Sequence, residues 1–352
     1  MRAFDYIETA KKITDDETIR LLNEIYELKG KQDYLINKNP MAIEGYKTIA
    51  KIQNFIFARR LFFNDDRHQK SYYEWFFGQQ GTLPNGGIKH FIDVENQIMI
   101  DQSVAFSIEG IIEIANLFHY SLFNKASSPY RKNNYDKGLA YIDEYSSNKD
   151  VKISYQPIKS SEVENYLNEI VKNFNDAINK TNISPLVLMF IFCLDFIKIC
   201  PFERKSEYIV SLIILNLLIT NGFSSFKYFS FLRTIDENKA EFLTALDKSF
   251  EKWDVGENDY SYFVKFMLRM LLTSYKNFDQ QILPLNASKL SKSDKVKHTI
   301  LTYGTAITKA EISIVCPDIS FSTIENVLAD LCNNDIIWKQ DDGRAASYVL
   351  NE

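Results

Sequence analysis

The residues best suited to chemistry lie in one short polar loop between two apolar runs. The runs cover residues 184–199 and 208–222, and the loop between them reads Cys200-Pro-Phe-Glu-Arg-Lys-Ser-Glu. A thiol can act as a nucleophile once it is deprotonated, and the unpaired N–H groups at a helix start favour an anion. The candidate site residues are Cys200 as a catalytic thiol and Arg204, Lys205 and Ser206 as an anion- or nucleotide-binding group.

The two apolar runs determine where this loop can lie. A helix that is apolar on every side belongs in the interior of a large domain, because a surface helix would have a polar face. Both runs are shorter than a membrane span requires, and charged residues such as Asp195 and Lys198 interrupt them. We therefore expect a buried helical hairpin whose loop opens to solvent, and no association with a membrane.

The order of residues around the loop resembles a known family. An apolar helix, the run Ile199-Cys-Pro-Phe202, a polar turn and a second helix resemble the Fic (Fic/Doc) family, whose signature is His-Pro-Phe-x-Asp/Glu-Gly-Asn-Gly-Arg-x-x-Arg. Further runs fall at family landmarks: Leu117-Phe-His119, Pro129-Tyr-Arg131, Tyr155-Gln-Pro157 and Lys227-Tyr-Phe-Ser230. The resemblance implies transfer of AMP from ATP to a hydroxyl side chain, with ATP and Mg as cofactors.

The departures from the signature point away from that activity. Cys200 stands at the general-base histidine, Arg204 at the Mg-binding acid, and Lys205-Ser-Glu207 at the Gly-Asn-Gly loop. Tyr208 and Ser211 replace the two arginines. An unperturbed thiol, with a pKa of about 8.5, is poorly matched to the role of a base. We therefore expect a degenerate site in a protein that acts as a binding or regulatory module.

Two other functions are consistent with the same residues. The first is a phosphate-group or nucleotidyl transferase of altered chemistry that uses Cys200 as its nucleophile. The second is a winged-helix transcriptional regulator with a Fic-like sensor body. For the main hypothesis we expect a protein partner, together with weak nucleotide or phosphate binding.

A regulatory glutamate is implied by the resemblance alone. The inhibitory motif of the family is Ser/Thr-x-x-x-Glu-Gly/Asn, and Glu44-Gly45 follows Pro40 in a similar position. A second pair, Glu109-Gly110, also lacks the Ser/Thr. Sequence order favours Glu44 of the two, and the simpler interpretation of either is an ordinary helical Glu-Gly pair.

Length and composition predict a multidomain globular protein of mainly α class. The chain has 352 residues, 45% hydrophobic and 25% charged, with a net charge of −5 that leaves no cation excess for nucleic acid. We expect an N-terminal helical region with a glycine- and aromatic-rich insertion at 1–100, a Fic-like core with a β-hairpin flap at 101–285, and a winged helix-turn-helix domain at 291–352.

The cysteines and the first residues indicate the compartment. The four cysteines lack the spacing of metal ligands, so we predict no metal site formed by them. The first ten residues contain acidic and polar positions where a signal peptide would need an apolar core. A reducing cytoplasm is the expected setting.

The C-terminal region shows the pattern of a winged helix. Three helical runs are followed by two β-rich runs across Asp342-Gly343, a common hairpin turn. The third helical run contains Glu325, Asn326, Asp330 and Asn333 and has no Lys or Arg. Residues 291–352 contain six basic and nine acidic side chains. The charge favours protein docking over DNA binding.

Overall fold

The protein is mainly α-helical, as predicted. The structure is a computed structural model. The described residues are 2–38, 40–63, 91, 94–96, 107–123, 130–132, 134, 156–202, 206–286, 291–303, 306–340 and 346–351.

The N-terminal region contains the three helices that its apolar spacing predicts. They are α1 (Tyr6–Ile13), α2 (Asp16–Lys38) and α3 (Pro40–Phe63). The Asp5 side chain caps α1 by accepting a hydrogen bond from the backbone nitrogen of Glu8. Pro40 begins α3, where its missing N–H costs nothing. The segment 40–45, which contains the candidate Glu44-Gly45 pair, forms the start of α3.

The central region consists of seven further helices among the described residues. They are α4 (Ile108–Phe123), α5 (Val163–Lys180), α6 (Pro185–Ile199), α7 (Ser206–Thr220), α8 (Phe231–Glu237), α9 (Lys239–Phe250) and α10 (Ser261–Asn286). Short 3-10 turns occupy Ser160–Glu162, Ser224–Lys227 and Trp253–Val255.

Helices α6 and α7 form the buried hairpin predicted from sequence. Every residue of α6 after Pro185 is buried, and so is every residue from Ile209 to Ile219 in α7. Helix α5 packs against α6, α3 packs against α7 and α8, and α10 packs against α2 and α9. Within the described part of the chain, no helix combines the length and the apolar character needed to cross a membrane.

The C-terminal region contains three helices and a small sheet. The elements are α11 (Lys292–Thr302), β1 (Ile307–Thr308), α12 (Lys309–Val315), α13 (Phe321–Asn333), β2 (Ile337–Lys339) and β3 (Ser347–Leu350). The strands are antiparallel in the order β1-β3-β2, with Trp338 opposite Val349. These elements lie close to their predicted positions, and the winged-helix assignment stays a prediction.

A hydrogen-bonded joint connects the C-terminal region to the helical body. The carboxamide nitrogen of Gln53 on α3 donates to the hydroxyl of Tyr303 at 3.2 Å, and that hydroxyl donates to Glu311 at 3.0 Å. Glu311 also forms a capping box with Thr308 at the start of α12. Arg233 donates to the Tyr303 carbonyl oxygen at 2.7 Å. The two regions therefore share a buried polar contact, which we call the Tyr303 joint.

Two sequence predictions fall largely outside the described residues. They are the β-hairpin flap at about 139–157 and the glycine- and aromatic-rich insertion at 66–100. The proposed division into three domains also stays a prediction, since buried apolar side chains from all three regions form one continuous cluster.

Candidate functional site

Cys200 ends α6 in an uncommon backbone conformation. Its φ is +48°, in the left-handed region, and its N–H donates to the carbonyl oxygen of Phe196 at 3.0 Å. A residue in this conformation turns the chain sharply out of a helix, and Pro201 cannot continue the helix. The Cys200 side chain is only 4% exposed. The described part of the loop is therefore buried, although we expected the loop to open to solvent.

Arg131 binds the backbone of this turn from the inside. Its guanidinium is 2% exposed, and its Nε donates to the carbonyl oxygen of Cys200 at 2.7 Å. Its Nη2 donates to the carbonyl oxygens of Ile158 and Ile199. The Arg131 backbone nitrogen donates to the carbonyl oxygen of Pro201 at 2.9 Å. One arginine thus satisfies helix-end carbonyls that have no intrahelical donor.

Aromatic packing fixes the next residue of the loop. Phe202 is fully buried, and its ring stacks on Tyr130 with 6.4 Å between centroids and an interplanar angle of 8°. Phe202 also contacts Phe196 in α6, at 6.1 Å between centroids. The Pro-Phe pair that survives from the signature therefore has a packing role, and Tyr130-Arg131 is the segment that receives it.

Several predicted site residues have no described side chain. Arg204 and Lys205 lie outside the described residues, and of Ser206 only the backbone is described, as the first residue of α7. The proposed anion-binding group therefore stays a prediction. Among the described residues, no three His, Cys, Asp or Glu side chains lie together as metal ligands would.

The two candidate regulatory glutamates lie in different places. Glu44 belongs to the first turns of α3, and its neighbours in sequence show where this part of α3 lies. Tyr46 lines a cavity together with Tyr228. Burial lowers the pKa of Lys227, and the nearby charge of Lys47 lowers it further. Those contacts lie just beyond the end of α7, whereas the signature loop precedes its start. The 15 residues of α7 span about 21 Å.

Glu109, by contrast, lies near the signature loop. Burial raises the pKa of Tyr130, and the carboxylates of Glu164 and Glu109 raise it further. Since Tyr130 stacks on Phe202, Glu109 is within electrostatic reach of the loop. The regulatory role of Glu44 stays a prediction, and this geometry favours Glu109 over it.

A buried carboxylate in α6 was missed as a structural centre by the sequence analysis. Asp195 is fully buried and accepts hydrogen bonds from Tyr6 Oη at 2.8 Å, Trp253 Nε1 at 2.7 Å and Tyr260 Oη at 2.8 Å. Burial raises the pKa of Asp195 to about 6, against the opposing effects of Arg2 and these donors. The one available signal was a single acid within an otherwise apolar helical run.

Arg2 completes the Asp195 cluster. Its guanidinium lies over the rings of Phe4 and Trp253, at 4.5 and 4.3 Å from their centroids. It donates to Tyr260 Oη at 2.7 Å and to the carbonyl oxygen of Trp253 at 2.6 Å. The cluster joins the N-terminal segment, α6 and the start of α10, so it fixes the helix that leads into Cys200.

The architecture matches that of solved Fic proteins. It is similar to a Fic family protein from Desulfovibrio desulfuricans G20, with a TM-score of 0.58, 15% identity and 96% of each chain covered. It is also similar to a Fic domain containing signaling protein from Bacteroides thetaiotaomicron VPI-5482, with a TM-score of 0.55 and 15% identity, over 76% of this chain and 100% of that one. No protein-family model matches the sequence, and no curated protein matches it either.

These likenesses define the class of fold. The chain is a Fic-fold protein, and the fold implied by the sequence resemblance is confirmed. At 15% identity the likeness concerns the fold alone. The chemistry therefore has to be argued from the side chains of this chain.

Proposed function

We propose that this Fic-fold protein acts as a binding or regulatory module and does not transfer AMP. The observation that carries the proposal is the state of Cys200, which occupies the position of the general-base histidine in the resemblance. A general base has to reach the proton that it removes. The Cys200 side chain is buried, and Arg131 binds the carbonyl oxygen of the same residue.

The other signature positions support the same conclusion. Ser211, at the position of the second signature arginine, is 1% exposed within α7 and carries no charge that could bind a phosphate. Tyr208 replaces the first arginine, and Arg204 replaces the acid that would bind Mg. Catalysis of phosphoryl-group chemistry relies on such positioned charges. Their simultaneous replacement favours loss of the reaction over a change of substrate.

AMP transfer is tested with the whole chain, labelled ATP, Mg and candidate protein targets. We expect no AMP adduct on any target or on the chain itself by intact mass spectrometry. Cys200→His alone should not create activity, because the other positions remain replaced. Robust transfer that Cys200→Ala abolishes would overturn the proposal and make Cys200 catalytic, as in the alternative of altered chemistry.

The C-terminal region supports a protein partner. Phe321 at the start of α13 is 56% exposed and Trp338 on β2 is 46% exposed, and aromatic side chains are enriched in protein interfaces. On α13, Glu325 pairs with Lys309 and Asp330 pairs with Lys297, each at 2.9 Å. These pairs engage two of the six cations of the region with acids of the helix that would have to read DNA.

The transcriptional alternative makes an opposite prediction. In an electrophoretic shift assay with random duplex DNA and competitor, we expect no complex at physiological salt. A salt-sensitive complex that disappears with Lys297→Ala and Lys309→Ala would support a nucleic-acid function instead.

A further inference from the structure

A cavity beside the Tyr303 joint lies apart from the signature loop. It has a volume of about 230 Å³ and lies between α3, the whole of α8 with the residues before it, the last turns of α10 and the end of α11. Its walls come from the helical body and from Leu301 and Tyr303 of the C-terminal region. Since Tyr228 and Ser230 line it, the cavity lies beyond the end of α7 opposite to Cys200.

Carboxamide side chains are concentrated around this cavity. Asn277, Gln280 and Gln281 line it from positions i, i+3 and i+4 of α10, so they share one helix face. Asn277 and Gln280 are exposed and Gln281 is half-buried, so their carboxamides can be reached by a ligand. Gln53, which is 5% exposed, also lines the cavity and donates from its carboxamide nitrogen to Tyr303.

The charged groups of the cavity cancel each other. Arg233 Nε donates to Glu237 at 2.8 Å, and Arg233 Nη2 donates to the Tyr303 carbonyl oxygen. A charged ligand would have to break this pair or bring a buried charge without a counter-charge, which is costly. The cavity therefore suits a neutral ligand.

Aromatic rings form much of the remaining wall. Phe229 and Phe278 stack with 4.5 Å between centroids, and the Tyr46 ring packs edge-on against Phe278 at 5.8 Å. Tyr228 and Tyr303 complete the set. Phe229, Phe278, Tyr46 and Tyr303 are buried and form a rigid wall, whereas Tyr228 is half-buried. An aromatic wall favours a planar ligand, and carboxamides offer a donor and an acceptor side by side.

Size restricts the ligand further. Pockets for drug-sized molecules measure about 300 to 1,000 Å³. The volume of about 230 Å³ is smaller, so it fits a single ring system with a small substituent and excludes a nucleoside triphosphate.

We propose that this cavity binds a neutral planar heteroaromatic molecule with amide-like hydrogen-bonding edges, of the nucleobase class. Carboxamides of Asn and Gln pair with the edges of bases by two parallel hydrogen bonds, and aromatic side chains stack on their faces. Because the helical body and the C-terminal region both line the cavity, a bound ligand would contact both and stabilise their association at the Tyr303 joint.

The test is calorimetry on the full chain with adenine, guanine, cytosine, uracil, their nucleosides and nicotinamide. We expect saturable one-to-one binding of at least one of these compounds. The double variant Asn277→Ala/Gln280→Ala should weaken that binding by at least about fivefold, the loss expected for one good two-bond contact to a base. Both side chains are exposed, so the variant should remain folded.

The controls separate this cavity from other sites. Asn326→Ala removes an exposed carboxamide from α13 and should leave the affinity unchanged. The nucleoside monophosphate should bind more weakly than the free base, because its charge would find no counter-charge in the cavity. The proposal is overturned by no saturation at millimolar ligand, by equal binding of wild type and the double variant, or by binding of the monophosphate alone. None of these outcomes depends on AMP transfer.

Discussion

Two buried charged side chains near the end of α6 are bound in different ways. Arg131 donates to backbone carbonyl oxygens of the turn itself, so its effect is local. Asp195, earlier in the same helix, accepts from side chains of three distant segments. Arg131 stabilises one turn, whereas Asp195 connects helices that are distant in sequence. Around the signature loop, Arg131 and Asp195 both stabilise structure, and Cys200 stands where the family signature has its histidine.

The largest effect should come from breaking the local interaction. Arg131→Met should lower the free energy of unfolding by about 3 to 5 kcal/mol, because hydrogen bonds from a charged group contribute about 1.5 to 3 kcal/mol each and buried carbonyls lose their donor. Urea denaturation measures it. Lys159→Met, at an exposed position next to Ile158, should change stability by less than about 0.5 kcal/mol. A cost below about 1 kcal/mol for Arg131→Met would contradict the structural role.

The Asp195 cluster should show its role as a pH dependence. The folded pKa of Asp195 is about 6, above its ordinary value of 3.8, so the folded protein binds this proton more tightly than the unfolded chain. The contribution to stability is therefore greatest below about pH 4 and is lost as pH rises through about 6, by about 3 kcal/mol in total.

Asp195→Asn tests that sign, since asparagine does not titrate. Relative to wild type, the free energy of unfolding of the variant should rise by about 3 kcal/mol between about pH 4 and pH 7. Urea denaturation at several pH values gives the comparison. A constant difference between the two proteins across this range would show that Asp195 has an ordinary pKa.

A smaller effect is expected from removing one donor to Asp195. Tyr6→Phe keeps the ring and removes the hydroxyl, so it should cost about 1.5 to 3 kcal/mol at neutral pH. Tyr262→Phe removes a hydroxyl from a residue that is 46% exposed and should be nearly neutral. Equal denaturation midpoints for wild type and Tyr6→Phe would mean that the Tyr6 bond does not stabilise the cluster.

The smallest effect concerns the signature loop itself. If Arg204 and Lys205 retain a role, calorimetry with ATP or inorganic phosphate should detect weak binding that Arg204→Ala/Lys205→Ala reduces. Lys248→Ala/Lys252→Ala removes two cations elsewhere and is the matched control. No heat in wild type, or equal heat in the loop variant, would leave the loop with a structural role only.

Local sequence patterns predicted the helices and the hairpin well. The N-terminal sequence predicted the helical region that contains α1, α2 and α3, and the all-round apolar runs predicted the buried pair α6 and α7. These features depend on periodicity, which the chain carries locally. Sequence resemblance added the Fic fold, because the order of landmarks survives where the catalytic residues do not.

The three-dimensional roles of single residues were not predictable in the same way. Arg131 was noticed only as a landmark, because its partners at Ile158, Ile199 and Cys200 are backbone atoms that any sequence would supply. Asp195 depends on Trp253 and Tyr260, far away in the chain. The positions of Glu44 and Glu109 along the chain likewise do not show which of the two lies near Phe202.

The backbone of Cys200 limits which residues can evolve at that position. With φ at +48°, the backbone at this site disfavours β-branched side chains, whereas glycine, asparagine, aspartate and histidine adopt this conformation more readily. A library of all substitutions at position 200, selected only for folded protein, should therefore be depleted in valine, isoleucine and threonine. Histidine, the residue that the family signature places here, suits this backbone conformation, so only the space around the buried side chain would limit it.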